Sequence, residues 1–316
     1  VTLPSAPCVT VLMAVCNGAA DLPAQLDSLV AQTHADWHLI ASDDGSTDGS
    51  RAILERFAKD QAASHSSRRS VVVTDGPGQG FVRNFLSLLA HPGLTGCVAL
   101  CDQDDVWFPE HLEQALAQLS GLPADRPVLY CSRRVNWWPT DDRRRLSRAY
   151  ARPGSFANAL VENIAPGNTM VLNAAALKLA RETVAAAVDV SFHDWWLYLL
   201  VTGAGGMVIH DPVPRLLYRQ HGRNVLGQGE GFRAGLAVKH GVLRGAYAAR
   251  IDRNLQALAR IEARLTPENR HRLAAFRAAR RAGPLRRMAL MWRAGVYRQG
   301  LLARLGFWGA VAVGRV

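Results

Sequence analysis

Val98-Ala-Leu-Cys-Asp-Gln-Asp-Asp-Val-Trp107 is an apolar run of strand length that ends in three carboxylates, Asp102, Asp104 and Asp105. Side chains two apart on an extended chain point the same way, so Asp102 and Asp104 are expected to face one divalent cation or one polyphosphate. Acids this crowded repel one another, and a cation relieves the repulsion. The stretch therefore reads as a metal-assisted phosphate site at a strand end. A structural reading competes with it: a turn whose acids cap a helix beginning near Pro109.

Upstream, Cys8 to Ala14, Trp37 to Ser42 and Ser70 to Thr74 are short, apolar and bounded by Gly, Asp or Asn, and with Cys97 to Cys101 they predict four strands. Between them, Leu22, Leu26, Leu29 and Val30 repeat at helical spacing, as do Ile53, Leu54 and Phe57, and Phe81, Phe85, Leu88 and Leu89. This alternation predicts an α/β fold with a parallel sheet. Ligands bind such sheets beyond the carboxyl ends of the strands. Three polar loops lie there: Cys16-Asn17-Gly18, Asp43-Asp44-Gly45-Ser46 and the acidic cluster. Ser46 and Thr47 read as caps of the following helix.

Downstream, Pro139 to Arg152 is basic and poor in apolar residues, which predicts an exposed loop or flap. Helical and strand patterns resume over Thr169–Asn173, Ala174–Val188, Asp194–Thr202, Met207–His210 and Leu216–Arg219. From Gly231 onward the pattern is helical and rich in Arg and Ala, with apolar stripes at Ile251, Leu255, Leu258 and Ile261, and again from Leu285 to Trp292. Leu301 to Val313 is too short to span a bilayer and suits either an interfacial helix or docking against the catalytic domain or a second subunit.

The 316 residues can bury one large domain plus an appendage. Charge divides them unevenly. From Arg233 to the end there are 18 Lys and Arg against 3 Asp and Glu, leaving 19 against 23 before it, out of a net +11. A tail of +15 suits an anionic surface. No apolar run approaches membrane-spanning length and no signal peptide is evident, so a cytoplasmic protein, peripheral at the inner face of the membrane, is expected. Five cysteines without a Cys-x-x-Cys pair argue against zinc or a disulfide framework.

Val9 to Gly18, Leu26 to Thr33, Asp43 to Gly49, Gly80-Phe-Val-Arg-Asn84, Leu100 to Trp107, His193-Asp-Trp-Trp196 and Tyr218 to Asn224, in this order, resemble the family 2 inverting glycosyltransferases. The spellings Cys-Asp-Gln-Asp-Asp-Val-Trp and Tyr-Arg-Gln-His-Gly-x-Asn are similar to those of bacterial rhamnosyltransferases. The resemblance implies the GT-A fold, a Rossmann-like, mostly parallel mixed sheet flanked by helices, with a helical basic C-terminal extension here. It divides the chain into a catalytic domain over 1–230, with a nucleotide-binding half at about 8–107 and an acceptor half at about 108–230, and a basic helical region over 231–316.

The resemblance also implies roles. Asp104 and His221 would hold Mn²⁺ or Mg²⁺ against the diphosphate of a dTDP- or UDP-sugar, with Asp102 near the ribose. Asp43 or Asp44 would meet the base or ribose, alongside Ala14, Cys16, Asn17, Gly80, Arg83, Asn84, Gln103 and Asp105. Asp194 would be the catalytic base, its alternative being a helix cap. Trp107, Asn168, Trp195 and Trp196 would line the site for a glycan or lipid-linked acceptor, although both tryptophans of His193-Asp-Trp-Trp196 also suit a core. Ala14-Val-Cys16 departs from the family's usual Pro-x-Tyr, replacing an aromatic near the base.

Other classes fit less well. No Gly-x-Gly-x-x-Gly follows the first strand, against a dinucleotide dehydrogenase. A nucleotidyltransferase would want a Gly-rich basic loop there, where the chain has Asn17-Gly18-Ala19. The basic tail carries no recognition module for nucleic acid, so none is expected as a partner.

Overall fold

A computed structural model describes residues 8–64, 68–221 and 245–316. Strand β1 (Val9–Val15) is buried at every position, as an inner strand covered on both faces must be. It pairs in parallel with β2 (Trp37–Asp43) and β4 (Cys97–Asp102), and β2 pairs in parallel with β3 (Arg69–Asp75). These strands follow the sequence expectation to within a residue or two.

Beyond β4 the sheet becomes mixed. The remaining strands are β5 (Val106–Trp107), β6 (Val128–Trp138), β7 (Arg143–Leu146), β8 (Val171–Leu172) and β9 (Met207–Arg219), and the order is β3-β2-β1-β4-β8-β6-β9-β5, with β7 added on β6. The short β8 runs antiparallel between β4 and β6, while β6 and β9 are parallel. Two expectations change here. The basic flap is a hairpin arm, with β7 pairing antiparallel to the end of β6. Met207–His210 and Leu216–Arg219 belong to one strand, whose pairing shifts register where Pro212 and Pro214 interrupt it.

The pleat sends alternate residues to two cores. Val9, Val11, Met13 and Val15 of β1, with Ala99 and Cys101 of β4, meet α1 (Leu22–Val30), Leu54 of α2 (Ser50–Ala63) and α4 (His111–Leu119). Leu12 and Ala14, with Val98 and Leu100, face α3 (Phe81–Ala90), α6 (Ala174–Thr183) and α7 (His193–Gly203). By this alternation Asp102 emerges on the α3 and α7 side. Ten of the eleven residues of α7 are buried.

Short α5 (Phe156–Ala159) precedes a 3₁₀ turn at Gly167–Thr169. The C-terminal helices are α8 (Ala246–Arg260), α9 (Pro267–Arg281), α10 (Pro284–Ala294) and α11 (Leu301–Ala312). They do not stand apart: Ile251, Leu258, Leu273, Phe276, Met291, Phe307 and Val311 share one core with Trp195, Trp196 and Leu197 of α7. Glu162, buried, fastens this region from the other side, accepting from the Gln299 N–H and the Asn158 amide. The expected boundary near residue 230, the helical pattern at 231–244 and Gly222 to Asn224 of the Tyr218 motif lie outside the described residues.

All five cysteines are free, with Cys101 and Cys131 buried, Cys8 and Cys97 half-buried and Cys16 exposed. Burial pushes the Cys101 and Cys131 thiols up, so they remain protonated packing groups.

Candidate active site

A cleft of about 620 Å³ opens at the carboxyl ends of β1, β2 and β4. Its floor is built from the loops that follow these strands. Asn17, in the left-handed region at φ 50°, accepts the Thr47 N–H at 2.8 Å, while its own N–H donates to Ser46 Oγ at 2.9 Å. Ser46 and Thr47 thus lace two loops together and do not cap α2, whose N-cap is Gly49. Gln103 ties in the third loop, accepting the Cys16 N–H at 2.8 Å and donating to the Cys16 carbonyl at 3.1 Å. A Cβ on Gly18 would lie 2.4 Å from that amide and would displace it from this bridge.

At the end of β2, Asp44 accepts the Gly78 and Gly80 N–H groups at 2.6 and 2.7 Å, one on each carboxylate oxygen. It folds the loop before α3 and also lines the cleft. Asp43 accepts the Ser46 N–H at 3.3 Å and does not line the cleft. Asn84 donates to the Ser42 carbonyl at 2.9 Å and faces the cleft, whereas Arg83 turns to Asp189 at 3.6 Å, outside it. Ala14, Cys16 and Asn17 line the cleft.

The three acids separate into three environments. Extended structure ends at Asp102, and Gln103–Asp104 form a turn, so two-residue alternation does not carry through to Asp104. Both nevertheless reach the cleft. Burial first, then the charges of Asp104 and Asp194, push the Asp102 carboxyl up to about 7, with Arg134 opposing. Asp105 is fully buried, accepts the Asn168 amide at 2.6 Å and does not line the cleft. Its expected donor contact is replaced by a positioning role, holding Asn168. None of the acids caps α4, whose N-cap is Glu110.

Strand β9 returns to this cluster. It pairs antiparallel with β5, Val106 opposite Leu217, which carries its end back past Asp104. Arg219 donates to the Asp104 carbonyl at 2.9 Å and pairs with Asp21 at 3.2 Å. His221 Nε2 lies 2.8 Å from the Asp104 carboxylate, and both side chains are partly exposed to the cleft. A hard carboxylate and an imidazole side by side at an open wall suit a divalent cation that takes its other ligands from a substrate. Among the described residues, no group of three or more His, Cys, Asp or Glu side chains forms a closed metal cage.

Asp194, which also lines the cleft, stands in the first turn of α7. One carboxylate oxygen accepts the Trp195 N–H at 2.7 Å and the other the Gly167 N–H at 3.2 Å. His193 beside it stacks on Phe85 with centroids 4.0 Å apart, and burial holds its imidazole down at about 4, so it is neutral near pH 7. The acid is thus a helix-start residue and a cleft residue together.

The tryptophans correct the expected acceptor site. Trp107, Trp195 and Trp196 are all core residues and none lines the cleft. Trp195 Nε1 donates to the Ala159 carbonyl at 2.6 Å, anchoring α7 to α5. The lining includes instead residues the sequence did not single out, among them Ser132, Arg134, Arg148, Tyr150 and His210. Arg134 stacks on the Tyr218 ring at 3.9 Å and donates to Asn168 at 3.2 Å.

Comparison with known proteins gives a consistent picture. The family model for glycosyl transferase family 2 matches residues 10–178. The chain is 28% identical to the dTDP-rhamnosyl transferase RfbG of Shigella flexneri over 228 residues, 70% of this chain and 76% of that protein. It is 32% identical to the putative glycosyltransferase EpsE of Bacillus subtilis over 116 residues, 36% and 39% of the two chains. Among solved structures, mannosyltransferase PcManGT from Pyrobaculum calidifontis, in complex with GDP-Man and Mn²⁺, superposes with a TM-score of 0.50 at 19% identity, covering 91% of this chain and 85% of that one. S. aureus TarS 1–349 with UDP-GlcNAc does so with a TM-score of 0.50 at 14% identity, covering 92% of each. At these identities the superpositions establish the GT-A fold.

Proposed function

The chain belongs to glycosyl transferase family 2, and we propose that it is an inverting, metal-assisted member that moves a sugar from a dTDP- or UDP-sugar to a hydroxyl of a cell-surface glycan or lipid-linked acceptor. The observation that carries this reading is the meeting, in one cleft, of the Asp104–His221 pair with Asp194. Likeness to a dTDP-rhamnosyl transferase supports the dTDP alternative.

Inversion is a single displacement. The acceptor oxygen forms a bond to the anomeric carbon as the bond to the diphosphate oxygen breaks, and that oxygen keeps the electron pair. Asp194 takes the acceptor proton, and the two N–H groups on its carboxylate fix its direction. Asp104 and His221 would hold the Mn²⁺ or Mg²⁺, which supplies positive charge where negative charge grows on the leaving group. Asp102 and Asp44 border the same cleft and are the candidates for ribose and base contacts.

The decisive experiment supplies purified protein, Mn²⁺ and acceptor with a panel of sugar nucleotides. One of them should release its nucleoside diphosphate only when acceptor is present. Absence of release from every dTDP- and UDP-sugar tried with a competent acceptor would refute the reading.

No helix among the described residues is long and apolar enough to cross a membrane. The C-terminal helices nevertheless expose apolar side chains: Leu285 and Trp292, one helical face apart by seven residues, are 89% and 79% exposed, and Leu302 is 85% exposed. Arg281, Arg286 and Arg293 are exposed nearby in sequence. Leucine and tryptophan ringed by arginine suit the headgroup region of an anionic membrane, where a lipid-linked acceptor would be met.

A further inference from the structure

The lining of the cleft carries both signs. Asp21, Asp44, Asp102, Asp104 and Asp194 are its acids, and the donor and the catalytic base are assigned to them. The same lining carries two guanidinium groups, Arg134 and Arg148, the hydroxyls of Ser132, Ser147 and Tyr150, and the imidazole of His210, and the Arg134 charge acts on Asp102 and Asp105.

Both arginines are held in place without being neutralised by contact. Arg134 lies on the Tyr218 ring and gives one N–H to Asn168, leaving its Nε and Nη2 groups without a partner among the described residues. Arg148 gives one N–H to the Gln299 carbonyl, and its guanidinium carbon lies 5.8 Å from the Tyr150 ring centroid. Neither forms an ion pair within 4 Å among the described residues. An arginine fixed by an aromatic ring and by one carbonyl, in the lining of a cleft and with donors to spare, is suited to receive an oxyanion.

We infer that the two arginines form a subsite for an anionic group on the acceptor, a phosphate or a carboxylate, bound by Arg134 and Arg148 with hydroxyl support from Tyr150 and Ser147. The inference rests on the glycosyl-transfer reading, because it is that reading which assigns the acids of the cleft to the donor and the base. It narrows the acceptor to molecules that carry a negative charge close to the hydroxyl being glycosylated. Neutral glycans are disfavoured. The contact of Arg148 with Gln299 also makes the C-terminal segment part of the subsite wall, so acceptor binding depends on those helices being docked.

The test is calorimetric titration of the full chain with its donor end filled by UDP or dTDP and Mg²⁺. Inorganic phosphate, glucuronate and glucose are the probes, and the first two separate a phosphate from a carboxylate preference. One anionic probe should bind at least tenfold more tightly than glucose, and Arg134→Gln and Arg148→Gln should each weaken it about tenfold. Arg134→Lys should recover part of the loss if charge matters, and retained nucleotide binding certifies that each variant is folded. Three results overturn the subsite: equal binding of glucose, unchanged binding by both glutamine variants, or displacement of the nucleotide by the anion, which would assign the arginines to the donor diphosphate. Failure of the native chain to bind either nucleotide instead removes the dTDP- or UDP-sugar reading of the donor, and the same probes titrated into nucleotide-free protein still decide whether the arginines bind anions.

Discussion

The Gly167 N–H donates to the Asp194 carboxylate at 3.2 Å, and a Cβ on Gly167 would lie 2.8 Å from His193 Nε2 and 3.2 Å from Asp194 Cβ. The glycine lets the turn before β8 close onto the start of α7 and hold the acid at the cleft. Gly167→Ala should therefore lower kcat by roughly tenfold or more while leaving nucleotide affinity within about twofold, because a small misplacement of a catalytic group is costly. Asp194→Asn should lose roughly 10²–10⁴-fold in kcat with the same nucleotide affinity. Steady-state kinetics with saturating donor separates the two quantities. Turnover unchanged in Asp194→Asn protein would sink the assignment of the base.

Asp104 and His221 are expected to act together. Asp104→Ala should abolish the part of nucleotide binding that depends on Mn²⁺, and His221→Ala should weaken it, since in the proposed site the imidazole would be the second protein ligand. Titrating UDP and dTDP with and without Mn²⁺ isolates that part. If Asp104→Ala protein keeps the full metal-dependent gain in affinity, the metal role moves elsewhere.

How far the sequence reached depends on which interactions decided each element. Strands β1 to β4 were legible because inner parallel strands are apolar throughout and cannot be taken for surface segments. Asp102, Asp104, Asp194 and His221 were legible through resemblance, and the fold brings all four to one cleft. Arg134 and Tyr150 were not, because the hairpin arm β7 is exposed at every position and reads as a loop, hiding the wall it braces. Trp195 and Trp196 misled for a different reason. A helix buried nearly all round has no polar face to show which aromatics meet solvent, and only the Ala159 carbonyl on Trp195 Nε1 settles the matter.

His111 offers a test of folding energetics away from the cleft chemistry. It is fully buried against Trp107, both ring nitrogens lack partners among the described residues, and burial, followed by the Arg215 charge, holds its imidazole at about 3. The native state therefore stays unprotonated while the unfolded chain takes up a proton below about pH 6.5. Stability from this group is complete above that pH and is lost as pH falls toward 3. His111→Phe removes the dependence, so the variant should gain about 2 kcal/mol relative to the native protein between pH 7.5 and pH 5. Urea unfolding at the two pH values measures it, and an identical difference at both would refute the argument.

Phe276 of α9 is fully buried in the core that also contains α7. Phe276→Ala should cost about 3–5 kcal/mol. Because the core is shared, the loss should appear in a single unfolding transition that also lowers the midpoint reported by nucleotide binding. Two separated transitions, the one linked to nucleotide unchanged, would mean that the C-terminal helices fold as a unit of their own.

The exposed faces of α10 and α11 make a prediction about place. On each helix the opposite face is already used, Met291 and Ala294 on α10 and Phe307 and Val311 on α11 packing inward, and the two helices touch. Leu285, Trp292, Leu301, Leu302 and Leu305 are thus left outward without competing for the core. Apolar insertion and electrostatic attraction should both contribute to membrane binding, and they can be separated. Vesicles of phosphatidylglycerol and phosphatidylcholine should sediment the protein, with affinity falling as salt rises, while pure phosphatidylcholine should bind it weakly. Trp292→Asp with Leu302→Asp should reduce binding at least tenfold at any salt, since both side chains are solvent-exposed and their replacement leaves the packed face intact. Arg286→Gln with Arg293→Gln should instead flatten the salt dependence. Equal binding by the native protein and the aspartate double variant would show that these faces do not meet lipid.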